Sequence, residues 1–392
     1  MTGAITLQHI LNHYPFEAQT DYNNSVLAQL KSCRTKQLGY HLYKCSDEQC
    51  GTFKYQYHSC RNRHCPQCGA LQKKQWVEDR QRELLPVPYY HMVFTMPHEL
   101  NAVTLGNRST MFSLLFKAAS STLLNFAADG QYLGAKPGII AVLHTWGQQL
   151  SFHPHLHCIV SAGGIVKKVT VDGSSTLYWK EAKTKRDHFL FPVKAMSEVY
   201  RGIFLKELKQ LISAGKIALT AAQQNTVKTM ISSLYQKQWV VYAKKPFGGP
   251  QQVLQYLAAY THKVAITNQR IIQCSDDAIQ FAYKDYRDGS KQKKILMAPA
   301  EFLRRFEQHI LPGGFTKIRT YGYLANRGRT DTINAITASL KLPPHPPAVK
   351  IPWYIRLYEA FGIKYNECPC CKKLSLVLVL ASCKQTIVPD ST

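Results

Sequence analysis

Acidic residues are scarce in this chain of 392 residues: 24 aspartates and glutamates face 49 lysines and arginines, leaving a formal charge of +25. The few carboxylates show no grouping that suggests an acid triad, so chemistry of that kind is disfavoured. The same imbalance points to a polyanionic partner. Long apolar runs are also missing, since no uninterrupted stretch reaches the roughly 18–20 residues that span a bilayer. LSLVLVL at 374–380 is too short. The opening MTGAITLQHI lacks a basic segment followed by an apolar core, which argues against a secretory leader and for a cytoplasmic location. Internal repeats are absent. A 45% hydrophobic content excludes wholesale disorder.

What the chain does carry is basic residues interleaved with aromatics, as in FKYQYHSCRNRH, YKDYRDGSKQKK and FTKIRTYGY. That mixture suits neutralisation of a phosphate backbone together with base stacking. Arg61, Arg63, Lys317 and Arg319 are the candidate DNA contacts. An anionic membrane is the weaker alternative, because no basic amphipathic helix stands out.

The length suggests two or three units. Residues 1–85 read as a small helical and zinc-ribbon-like DNA-recognition domain, and 331–392 as a Pro-rich linker (PPHPPAVKIPW) with a Cys-containing tail. Between them, 86–330 gives strand YHMVFTM, a helix within 109–128, strands GIIAVLHTW and HPHLHCIVSAGG, a helical insertion at about 187–237, and strand WVVYAKKPF. The order β, α, β, β, α, β predicts an α+β fold, a ferredoxin-like antiparallel sheet with helices on one face. A helix over QQVLQYLAAYTHKVAI, a basic strand-rich stretch, the helix PAEFLRRFEQHIL and the strand TKIRTYGYLA follow.

Twelve cysteines in a cytosolic chain argue for metal rather than disulfides. Cys45 and Cys50, then Cys65 and Cys68, form two pairs with 14 residues between them. Two such knuckles can supply the four thiolates of a tetrahedral zinc site. Cys33, Cys60, His58 and His64 remain for a second zinc or for structural or DNA-facing roles. CPCC at 368–371 offers one more knuckle, with Cys383 as a possible partner, yet no complete local set. Cys158 and Cys274 read as small core residues.

In HPHLHCIV, strand alternation puts His153, His155 and His157 on one face and Leu156, Cys158 and Val160 on the other. Burying several imidazoles without partners is costly, whereas coordination satisfies them. A hairpin around GQQLSF sets His144 opposite His155, giving a three-nitrogen site for a catalytic metal, with His153 left near the turn. On the helix 251–266, Leu254, Leu257, Ala258, Thr261 and Ala265 make one face while Tyr256, Tyr260 and Lys263 fall on another. Tyrosines four apart usually pack. Beside a metal and a lysine, a phenol can instead attack a DNA phosphate in line and free a 3′ hydroxyl.

His155, Leu156 and His157 resemble the His-hydrophobic-His motif of the HUH endonucleases. SCRNRHCPQC, HMVFTMPHEL, HTWGQQLSFHPHLHCIV, YLAAYTHKVAITNQRI and EFLRRFEQHILPGGFTKIRTYGYLANR resemble, in order, the two-tyrosine transposases of rolling-circle insertion sequences. The resemblance implies Mg²⁺ or Mn²⁺ on His155 and His157, and His144 as third ligand by analogy with relaxases. It further implies single-stranded DNA at the element's ends as substrate, 5′-phosphotyrosine intermediates, cooperation with host replication machinery or a helicase, and association with a bacterial nucleoid. A plasmid replication initiator or relaxase, and a non-catalytic zinc-dependent DNA-binding protein, stand as alternatives.

Overall fold

The computed structural model describes residues 5–81, 83–169, 171, 173, 175–182, 190–244, 252–253, 256, 263–343 and 351–382. Helices α1 (Leu7–His13) and α2 (Asp21–Lys31) open it, each started by a threonine, Thr6 or Thr20, whose hydroxyl accepts a backbone N–H of the first turn. The hairpin β1 (Tyr40–Cys45) and β2 (Phe53–Tyr57) follows, then α3 (Ala70–Gln81). The central unit comprises β3 (Tyr89–Thr95), α4 (Asn101–Gly106), α5 (Arg108–Ala128), β4 (Lys136–Trp146), β5 (Phe152–Val169), β6 (Ser175–Glu181), α6 (Val193–Ser213), α7 (Ala221–Gln236) and β7 (Val241–Lys244). Next come β8 (Ile271–Ser275), β9 (Ala278–Asp285), β10 (Lys291–Met297), α8 (Pro299–Gln308) and β11 (Ile318–Gly322). The remaining elements are α9 (Arg329–Ser339), α10 (Trp353–Phe361) and β12 (Leu376–Ser382).

The main sheet runs β11-β4-β5-β3-β7, all neighbours antiparallel, with β6 pairing the far end of β5. Within it β4-β5-β3-β7 is the strand order of a ferredoxin-like unit, so the α+β reading holds. The insertion read as one helical region is two helices, broken at Gly215 (φ +66°), with Thr220 and Gln223 forming a capping box for the second.

Alternation along the strands divides the sheet's side chains between two environments. Met92, Phe94, Ala141, Leu143, Leu156, Cys158 and Val160 face α5, α6 and α7 and make the main core. α5 has the length and hydropathy of a membrane span, but Phe112, Leu115, Phe116 and Leu123 are fully buried in this core. On the other face Tyr89, Ile140, Val142 and Ile159 meet Val253, Ile333, Ile336 and Trp76. Burial of that second, partly covered face leaves a polar strip at its end, where the histidines lie.

Where β11 meets β4, Gly322 has φ +70°, and an added Cβ would stand 1.6 Å from the Pro137 carbonyl oxygen. Only glycine fits there. A second sheet, β10-β9-β8, packs Phe281 on Phe302 of α8 and shares a core with Leu7, Ile10, Val26 and Leu30 of the N-terminal helices. A third, β12-β1-β2, joins the C-terminal strand to the N-terminal hairpin, with Leu42 opposite Leu380. Part of the Pro-rich stretch, 344–350, lies outside the described residues.

Candidate active site and metal clusters

The β4–β5 hairpin sets His144 directly opposite His155. A tight turn closes it, in which the Gly147 and Ser151 backbones bond and Leu150 adopts a left-handed conformation (φ +57°). One ring nitrogen from each of His144, His155 and His157 lies within 4.8 Å of the other two, close enough for a single ion. The His155 Nδ1 sits 2.7 Å from the His153 carbonyl, which can only accept, so Nδ1 carries the hydrogen and Nε2 keeps its lone pair. Thus His153, exposed beside the turn, orients its neighbour through its backbone. Burial pulls the His155 pKa down to about 4, and burial together with His144 and His155 drives His157 far below the usual imidazole range. Both rings are therefore neutral at pH 7, the form that binds metal.

His91 was not singled out in the sequence, yet it belongs to this cluster. It lies on β3 two positions along from His157 and on the same face, because Val93 faces His157 and His91 faces Ile159 across the β3–β5 ladder. Its Nε2 stands 2.9 Å from His157 Nδ1 and 2.8 Å from the Tyr256 hydroxyl. The same hydroxyl is 3.3 Å from His157 Nδ1. Burial, with Lys244 adding repulsion, holds His91 at about 3. Gln252, Val253 and Tyr256 are helical, and fully buried Val253 anchors them against the sheet. Leu254, Leu257, Ala258, Tyr260 and Thr261 lie outside the described residues. Lys263 is partly buried; burial and then Arg270 lower its pKa, and its charge depresses His155 and His157 in turn.

The cysteines divide differently from the expected Cys45, Cys50, Cys65, Cys68 set. One cluster is Cys33, Cys60, Cys65 and Cys68; the other is Cys45, Cys50, Cys368 and Cys371. The first has Sγ separations of 3.2 Å (Cys33–Cys68), 3.6 Å (Cys60–Cys68) and 3.6 Å (Cys33–Cys65). A tetrahedral zinc with Zn–S near 2.3 Å spaces its sulfurs about 3.8 Å apart, whereas a disulfide needs about 2.05 Å. Proximity along the chain misled because the β1–β2 hairpin carries its two cysteines away from the knuckle that follows. His64 is no ligand of either cluster: its Nε2 accepts the Leu311 N–H at 3.3 Å. The His58 Nδ1 bonds the Leu38 carbonyl at 3.0 Å. Cys158 is core, and Cys274 instead meets the Tyr14 hydroxyl at 3.2 Å.

The candidate DNA contacts are unevenly placed. Arg61 is exposed, but Arg63 donates to the Pro312 and Phe315 carbonyls and so braces the loop before β11. Arg319 lies over the Phe116 and Phe315 rings and donates to Ser113 at 3.2 Å. Lys317 is half-buried, and desolvation brings its pKa down to about 8.

Residues 138–331 match the family described as "Putative transposase", and residues 6–96 match the family described as "Transposase zinc-binding domain". A relative described as "Putative transposase y4qJ" from Sinorhizobium fredii is 39% identical over 90% of this chain and 88% of its own length. The "Transposase for insertion sequence element IS801" from Pseudomonas savastanoi pv. phaseolicola is 28% identical over 87% of this chain and 79% of its own. No solved structure matches the chain. The first family's span contains the histidine hairpin and Tyr256, and the second's contains the whole of the Cys33 cluster. The chain belongs to the transposases of rolling-circle insertion sequences of the IS91 and IS801 type, and DNA is its partner.

Proposed function

We propose that this transposase cuts and rejoins single-stranded DNA at the ends of its element, with Tyr256 as a nucleophile and His144, His155 and His157 as ligands of a divalent cation. The observation that carries the reading is the Tyr256 hydroxyl, 3.3 Å from His157 Nδ1 and on the same sheet face as the three-nitrogen cluster. Neutral imidazoles suit Mn²⁺ well and Mg²⁺, which favours oxygen donors, less so. When bound, such an ion polarises the phosphate and stabilises charge on the departing oxygen.

The protein's own groups do the rest. Tyr256 Oη forms a bond to the scissile phosphorus, the bond from phosphorus to O3′ breaks, and the 3′ hydroxyl leaves. The 5′ end stays on the enzyme as a phosphotyrosine. His91 Nε2, 2.8 Å from the hydroxyl, is placed to take the phenol's proton. A neutral ring at pH 7, in the tautomer that carries its hydrogen on Nδ1, can act as that base. Reversal with another 3′ hydroxyl rejoins DNA without nucleotide hydrolysis, because the linkage conserves the phosphodiester energy. Tyr260 would serve the second strand. Lys263 supplies positive charge near the phosphate, and Arg61 extends the contact along the DNA. The Cys33 cluster would hold a structural zinc, and the reading places the protein with the bacterial nucleoid and a host helicase.

Purified protein, Mn²⁺ and a labelled single-stranded oligonucleotide from the element's end should give an adduct that survives a denaturing gel. His155→Ala should abolish the adduct and leave binding to the same oligonucleotide intact. An undiminished adduct in that variant would overturn the metal role.

A further inference from the structure

We propose that Cys45, Cys50, Cys368 and Cys371 bind a second zinc ion, which clamps the segment 363–382 onto the N-terminal hairpin. Neither family match contains Cys368 or Cys371, since one ends at residue 96 and the other at 331. The geometry is that of a tetrathiolate centre: Cys45 Sγ is 3.7 Å from Cys371 Sγ, and Cys50 Sγ is 3.7 Å from Cys368 Sγ. Both separations match the roughly 3.8 Å expected for a tetrahedral zinc. Both also exclude disulfides.

The backbone gives a second, independent indication. In each pair the residue after the second cysteine is left-handed, Gly51 at φ +53° and Lys372 at φ +62°. The Cys33 cluster repeats this at Gly69 (φ +52°) and Arg61 (φ +53°). A lysine in that region costs about 1–2 kcal/mol, which persists only where the surroundings enforce it. CPQC at 65–68 and CPCC at 368–371 further share the same C-P-x-C knuckle.

Beyond their backbone ladders, little apolar packing among the described residues holds the three strands together. The buried residues here are Tyr43, Cys45, Cys368 and Leu376, too few for a core. Phe53, Tyr55, Val377, Leu378, Val379 and Leu380 are all exposed. Hydroxyls bound the cluster, Ser375 Oγ at 3.0 Å from Cys45 Sγ and Thr52 Oγ1 at 3.2 Å from Cys50 Sγ, in the manner of outer partners that steady metal thiolates. An ion pair between Lys373 and Asp47 and a bond from Ser46 N–H to the Ser375 carbonyl at 2.8 Å complete the seam.

The test uses the full chain and elemental analysis. Cys368→Ser/Cys371→Ser should lose one zinc equivalent relative to the parent, whereas Cys370→Ser, at an exposed cysteine outside the cluster, should lose none. Cobalt exchanged into the parent should show thiolate charge-transfer absorption for two tetrathiolate centres, and into the double variant for one. Hydrogen exchange should then speed up in β1 and β12 while that of the main sheet is unchanged. Cys371→His, which preserves a ligand, should recover the lost equivalent. If the double variant keeps its full zinc, or the parent shows a single tetrathiolate centre, the site does not exist. If the parent carries iron, seen by its visible absorption, the assignment to zinc falls. The cobalt spectrum of the parent decides the matter even if the serine variants do not fold.

Discussion

Tyr256→Phe deletes one oxygen and nothing else, so its two consequences can be separated. The lost hydroxyl makes its closest contact with His91 Nε2 at 2.8 Å. A hydrogen bond of this kind contributes about 0.5–1.5 kcal/mol net. His91 Nε2 retains His157 Nδ1 at 2.9 Å, so no buried nitrogen is stranded by the change, and the low end applies. The ring keeps its packing against Val253 and the sheet. A fall in melting temperature of about 2–4 °C or less should follow. The chemical loss is far larger, because the deleted atom is the one that bonds to phosphorus. Knocking out a hydroxyl nucleophile elsewhere costs on the order of 10⁶ in rate, so adduct formation through Tyr256 should fall by at least ~10³-fold, about 4 kcal/mol of barrier. The assay is the rate of appearance of denaturation-resistant adduct under single turnover, run in parallel with thermal melting and oligonucleotide binding. Tyr260→Phe and the double variant show which strand each phenol serves. Adduct at the parent's rate in the double variant would refute the nucleophile reading outright. A drop in melting temperature well beyond 4 °C for Tyr256→Phe would mean that the hydroxyl is structural.

His91→Gln leaves the three-nitrogen cluster intact but removes the imidazole behind Tyr256 and His157; the adduct rate should fall about 10–100-fold, while calorimetry finds Mn²⁺ still bound at one site. Gly322→Ala drives a Cβ into the Pro137 carbonyl oxygen at a backbone angle hostile to side chains, so urea denaturation should show a loss above about 2 kcal/mol. Lys317→Met removes a half-buried ammonium whose pKa falls from 10.5 to about 8, first through desolvation and then through Arg63. Below pH 8 both folded and unfolded lysine are charged and the native state bears the burial cost; between 8 and 10.5 the unfolded chain binds more protons, so parent stability rises with pH. The variant should accordingly be more stable than the parent at pH 7, by up to about 3 kcal/mol at 1.36 kcal/mol per unit, with the gap closing toward pH 10.5. Equal stability at both pH values would show that Lys317 stays hydrated. Weaker DNA binding by the same variant would explain why a costly half-buried charge is kept there.

Features set by local periodicity were legible in the sequence; those set by distant segments were not. The alternation in HPHLHCIV and the short turn before it fix the strand face and the register, so His144, His155 and His157 meet as their spacing implies. His91 carries no such mark, because a lone histidine in YHMVFTM looks like any polar residue in a strand until β3 pairs with β5. The thiolates defeated a reading by proximity, since half of one cluster comes from residues more than 300 positions away. Arg63 and Arg319 looked available for phosphate because sequence cannot show that carbonyls and aromatic rings already engage them. Helix α9 has almost no amphipathic contrast, so no periodic stripe announced it, yet Ile333 and Ile336 help close the sheet's second face.

The pairing of β12 with β1 bears on how a newly made chain matures. Tyr40–Cys45 leaves the ribosome long before Leu376–Ser382 exists. At roughly 5–20 residues per second, about 20–70 s pass between the two. Throughout that interval one edge of the hairpin presents unpaired peptide groups, a template for any passing strand. Two nascent copies on neighbouring ribosomes can satisfy that edge by exchanging their C-terminal strands, giving an intertwined dimer in place of a self-closed monomer. Slower translation, or a higher density of ribosomes on the message, would favour the exchanged form.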